Sequence, residues 1–93
     1  MKTYALIKDG KTIDSGSFRE MQMKALEYDA LKLDVYEING MGPASYCSYF
    51  RICRTLKNGK KQEKRFYTYH LENALFEALK SFSIKLQVKK VLL

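Results

Sequence analysis

The sequence predicts an α+β fold, a small antiparallel β-sheet with two helices on one face, in the order ββαβ-ββαβ. Three observations predict it. Asp9-Gly10 and Asn58-Gly59 are the two commonest fillings of a tight hairpin turn, and each is flanked by strand-forming runs. Each hairpin is followed by apolar residues at helical spacing, and each helical stretch by a short alternating segment. With 93 residues, 46% hydrophobic and 13% aromatic, the chain has the length and composition of one folded domain, 1–93.

Thr3 to Ile7 and Lys11 to Asp14 read as the first two strands. Ser17 and Glu20 then have capping-box spacing and open a helix over roughly 18–32. Phe18, Met21, Ala25 and Tyr28 form its apolar stripe, widened by Leu26, Ala30 and Leu33. Asp34 to Ile38 alternates as a short strand, and Asn39-Gly-Met-Gly-Pro43 is a loop whose glycines lack the spacing of a phosphate cradle. After the second hairpin, Leu71, Leu75, Ala78 and Phe82 predict a helix over 71–81. Ile84, Leu86 and Val88 alternate with Lys85, Gln87 and Lys89 as a final strand. Lys8-Asp-Gly-Lys11 matches Lys57-Asn-Gly-Lys60, and Tyr28-Asp-Ala-Leu-Lys32 matches Phe76-Glu-Ala-Leu-Lys80. These matches suggest an internal duplication.

The hairpin from Tyr46 to Tyr69 is the longest strand signal and the most basic. A two-residue turn at Asn58-Gly59 pairs residues whose numbers sum to 117. Tyr46, Phe50, Ile52 and Leu56 then share a face with Tyr69, Tyr67, Arg65 and Lys61, and that face packs under the helices. The opposite face carries Cys47, Tyr49, Arg51 and Cys53 with His70, Thr68, Phe66 and Lys64, open to solvent.

The net charge of +7 is unevenly placed. Residues 1–45 hold six Lys/Arg and seven Asp/Glu, whereas residues 46–93 hold eleven and three. Such asymmetry predicts a polyanionic partner. Tyr49, Arg51 and Phe66 could stack unpaired bases while Arg54, Lys57, Lys60, Lys61, Lys64 and Arg65 neutralise phosphates. The expectation is a small basic protein binding RNA or single-stranded DNA through residues 46–69.

Two other classes compete with it. A small accessory protein of viral or plasmid type could use the same basic hairpin to inhibit a protein with an acidic or nucleic-acid-binding groove. A metal-independent ribonuclease could use the Cys47–His70 pair with Glu72 nearby, but no oxyanion site accompanies it, so the expectation is a non-enzyme. Cys47 and Cys53 lie about 20 Å apart along one strand, too far for a disulfide. Two cysteines and one histidine make no zinc set, and no cofactor motif is present. No apolar run spans a membrane and no signal-peptide core appears, which predicts a cytoplasmic protein without membrane contact.

Overall fold

The computed structural model describes residues 3–38 and 49–91. Its elements are β1 (Thr3–Lys8), β2 (Lys11–Gly16), α1 (Phe18–Glu27), β3 (Ala30–Ile38), β4 (Tyr49–Leu56), β5 (Lys61–Phe66), α2 (Leu71–Ser81) and β6 (Gln87–Val91). The order ββαβ-ββαβ is therefore observed. The strands divide into two antiparallel sheets, β2-β1-β6 and β3-β4-β5, instead of joining one. Each ββαβ unit builds a hairpin and then gives its last strand to the other unit's sheet. Pairing of apolar side chains accounts for the exchange: β3 sets Val35 opposite the buried Ile52, and β6 sets Val88 opposite the buried Leu6.

The Cα envelope measures 47 × 37 × 16 Å. Packed layers lie about 10 Å apart, so the short dimension holds one layer of strands and one of helices. Leu26 on α1 and Ala74, Leu75 and Ala78 on α2 pack against Phe50, Ile52 and Phe66. Met21 and Ala25 on α1 pack against Leu6, with Val88 and Leu86 beside them. Leu79 and Ile84 touch both clusters and join the two sheets' cores.

α1 starts where the capping spacing predicts, with the Glu20 backbone N–H donating to Ser17 Oγ at 3.1 Å. It ends five residues earlier than the apolar stripe predicts. Tyr28 is already extended and Asp29 takes a left-handed φ of 59°, so Ala30 and Leu33 belong to β3. α2 ends after Ser81 as expected. Ser83 N–H donates to Lys80 O and Ile84 N–H to Leu79 O, with Ser83 left-handed at φ 55°. That Schellman closure, with Leu79 and Ile84 in one apolar cluster, turns the chain toward β6.

The first hairpin has the expected type I′ turn, with positive φ at both Asp9 and Gly10 and Lys8 opposite Lys11. The matched segments of the suggested duplication are not equivalent in structure. Tyr28–Lys32 leads from α1 into β3, whereas Phe76–Lys80 lies inside α2. The repeated element order, with its reciprocal strand exchange, carries the internal similarity.

Candidate nucleic-acid interface

The β4–β5 register departs from expectation by one residue. Phe50 pairs with Phe66, Arg51 with Arg65, Cys53 with Glu63 and Arg54 with Gln62, so paired numbers sum to 116 rather than 117. At the turn, Gly59 N–H donates to Leu56 O and Leu56 N–H to Lys60 O, and of the loop residues 57–59 only Gly59 has positive φ, at 85°. This is a three-residue loop, a type I-like turn followed by a left-handed glycine. The slip puts Phe66 beside Phe50 and Ile52 on the helix-facing side and frees Tyr67 to solvent. Burial of Phe66 decides the register, because one step reverses every side chain of β5.

The two faces are therefore corrected for β5 and retained for β4. Phe50 and Ile52 are buried, as expected, and Tyr49 and Arg51 lie on the opposite, open side. Phe66, expected on the open side, is a core residue whose ring meets Phe82 edge-on at 6.5 Å. Tyr67, expected in the core, is 65% exposed. Arg65 and Lys61, expected inward, share the open side with Tyr49 and Arg51, whereas Lys64, expected on the open side, pairs with Ile52 in the helix-facing phase and is exposed there.

The open side gathers side chains from three strands. β3 contributes Lys32, Asp34 and Tyr36, because Tyr36 pairs with Arg51 and Asp34 with Cys53. The guanidinium carbon of Arg51 lies 4.6 Å from the Tyr36 ring centre, and that of Arg65 lies 5.3 Å from the Tyr49 ring. The Tyr49 and Tyr67 rings are 5.4 Å apart and tilted by 46°. Three tyrosines and two arginines thus alternate across one surface. Asp34 and Glu63 temper its charge: Asp34 is 3.5 Å from Lys32, and Glu63 is 3.5 Å from Arg51 Nε. Arg51 Nε nevertheless makes no hydrogen bond of good geometry among the described residues. Beside it, Asp34, Tyr36, Arg51, Thr55, Lys61 and Glu63 line a shallow depression of about 200 Å³.

At the hairpin tip Lys57, Lys60, Lys61 and Lys64 are all exposed. Lys57 Nζ is 3.8 Å from Asp29 Oδ1, a solvated pair of little energetic weight. Arg54 does not belong with them. It is 4% exposed on the core side, where Nε donates to Leu26 O at 2.7 Å, Nη2 to Tyr28 O at 3.1 Å and Nη1 to Gln62 Oε1 at 2.7 Å. It satisfies carbonyls that the end of α1 leaves unpaired, and burial lowers its affinity for its proton. Its expected phosphate contact is thereby excluded, since the guanidinium is spent inside.

Tyr36 and Tyr67 lie on this candidate surface, although the sequence did not single them out for it. Alternation along β3 supplied a signal for Tyr36, because Val35 lies on the helix-facing side, leaving Tyr36 outward. Cys53 lies on the open side, where burial first and the Glu63 carboxylate second push its thiol pKa up, the opposite of nucleophile activation. His70 is the exposed N-cap residue of α2 and makes no side-chain cap bond. Tyr46, Cys47 and the 39–43 loop lie outside the described residues, so the Cys47–His70 pairing is not placed. Among the described residues no group of three His, Cys, Asp or Glu could hold a metal ion, and no helix is long and apolar enough to cross a membrane.

The chain matches no protein-family model, no curated protein and no solved structure.

Proposed function

We propose that this protein binds RNA or single-stranded DNA across the open side of the β3-β4-β5 sheet. The observation that carries the reading is the alternation of Tyr36, Tyr49 and Tyr67 with Arg51 and Arg65 on one solvent-facing surface. Aromatic rings offer unpaired bases a stacking platform without requiring a particular sequence, and guanidinium planes add cation–π and phosphate contacts. Lys61, in phase with Arg65, extends the surface with positive charge, and Lys57 and Lys60 are exposed at the loop beside it. Tyr49 and Tyr67 are too close to admit a base between them, so bases would stack on their outer faces.

Anisotropy titrations of a labelled single strand at several salt concentrations test this. Tyr49→Ala is expected to remove about 1–3 kcal/mol of affinity per base stacked. Lys60→Gln with Lys61→Gln is expected to flatten the slope of log K against log salt by about 1.4, at about 0.7 for each phosphate left without its lysine. Unchanged affinity and slope in both variants would reject the reading.

The exposure of Tyr67, 65%, favours a second reading in which the same surface anchors in an acidic protein groove. Capture of a single stoichiometric protein that survives nuclease digestion would put this reading first.

A further inference from the structure

On the helical side, and separate from the surface just described, a groove of about 340 Å³ opens between α1, α2 and β6. We propose that it binds a small aromatic monoanion that carries an N–H or O–H donor. Its volume lies in the range of small-molecule sites, and its wall is mostly apolar, with Phe18, Phe76, Leu79, Ile84, Leu86 and Val88. Four polar residues, Gln22, Lys80, Gln87 and Lys89, interrupt that wall.

Gln22 stands where an apolar residue would continue the α1 stripe, and it is fully buried. Its Nε2 donates to Glu72 O at 3.2 Å, which fixes the amide's orientation, and its Oε1 accepts no hydrogen bond among the described residues. A buried carbonyl oxygen with no partner is a standing cost that a ligand donor removes. Of the other three, Gln87 is uncharged, and Lys80 and Lys89 are cations. Neither has a carboxylate within 4.0 Å among the described residues, and Lys80 Nζ lies 4.2 Å from the centre of the Phe76 ring. Phe76 itself is 47% exposed, an aromatic left half in water at the groove's lip. An acceptor, a ring to stack against and two uncompensated cations select a flat apolar body bearing one donor and one negative charge. A neutral lipid tail would leave both the amide oxygen and the lysines unanswered.

The probe is 8-anilinonaphthalene-1-sulfonate, which combines a naphthalene body, an N–H and a sulfonate, added to the full chain below its melting temperature. The expected result is a saturable rise in fluorescence with one probe per chain, at a sedimentation mass of one chain. Gln22→Leu keeps the volume and removes the acceptor, and is expected to weaken binding at least fivefold. Phe76→Ala and the pair Lys80→Gln, Lys89→Gln change exposed positions that leave folding intact, and each is expected to weaken binding at least fivefold. They decide the matter should Gln22→Leu fail to fold. Unsaturable binding, or several probes per chain, would overturn the proposal. So would weakened binding in the lysine pair with Phe76→Ala unaffected, which marks adsorption to surface charge. A doubled mass that excludes the probe would assign the groove to a second copy of the chain.

Discussion

Arg54 and Arg51 are three residues apart on one strand and do opposite things. Strand alternation separates them: Arg54 is in phase with Phe50 and Ile52 and turns into the core, whereas Arg51 is in phase with Tyr49 and faces solvent. Charge density along the sequence groups Arg54 with the tip lysines. Phase along the strand does not, and phase decides. An arginine can occupy a core position only where acceptors answer it, and the end of α1 supplies two backbone carbonyls while Gln62 supplies a third oxygen. Those acceptors depend on where α1 ends, which local sequence does not specify. Arg54→Ala strands Leu26 O and Tyr28 O in the interior and is expected to cost about 2–4 kcal/mol in urea denaturation. Arg54→Lys is expected to recover only part of that, since an ammonium cannot reproduce the fork. Affinity for a single strand, measured well below the melting transition, is expected to stay at the wild-type value in Arg54→Lys. A drop of tenfold or more there would return Arg54 to the binding surface.

The two hairpins show how much of an element its turn residues dictate. Asp9-Gly10 and Asn58-Gly59 carry the same turn signal, yet the first closes with two residues and the second with three. The difference arises outside the turns. A two-residue closure at Asn58-Gly59 would set Tyr67 inward and Phe66 outward, while the three-residue closure buries Phe66 among Phe50, Ile52 and Phe82. The existence of each hairpin was legible from local chemistry, and the register of the second was settled by packing that local chemistry does not contain. The α1–β3 boundary followed the same logic. Ala30 and Leu33, three apart, fit a helical period; pairing of β3 with β4 chose the strand, and a register shift between Ala30 and Lys32 sets them opposite Leu56 and Arg54 on one side. Backbone conformation makes the turn difference measurable. Gly59→Ala, at φ 85°, is expected to cost about 1–2 kcal/mol. Asn58→Ser is expected to fall within about 0.5 kcal/mol, because Asn58 needs no positive φ. Asp9→Ser, at φ 52°, is expected to cost about 1 kcal/mol. Equal costs at Asn58 and Asp9 would mean that the second hairpin also closes with two residues.

Dividing the chain in sequence does not divide the molecule. Excess positive charge resides in residues 46–93, but β3 carries Asp34 from the other half onto the same open surface as Arg51 and Arg65. Charge on that surface is thus more balanced than the sequence halves imply, and the aromatic–arginine arrangement distinguishes it more than net charge does. The element order was legible because hairpins and helices are local. The reciprocal exchange of β3 and β6 was not, because strand partners far apart in sequence are chosen by tertiary packing. The exchange has a consequence for folding. Residues 1–45 alone would hold the β1–β2 hairpin without β6 and leave β3 without β4, while residues 46–93 alone would leave β6 without β1. Leu26 would also be parted from Phe50 and Ile52, and Leu6 from Val88. A two-stranded hairpin with one helix buries too little to stand alone in water. Each fragment, 1–45 and 46–93, is therefore expected to lack a cooperative thermal transition by circular dichroism. An equimolar mixture is expected to regain one, with a midpoint that rises with concentration as a bimolecular complex requires. Should either fragment melt cooperatively on its own, each ββαβ unit would pair its three strands internally when isolated. The exchange would then be a choice between two closures of similar stability.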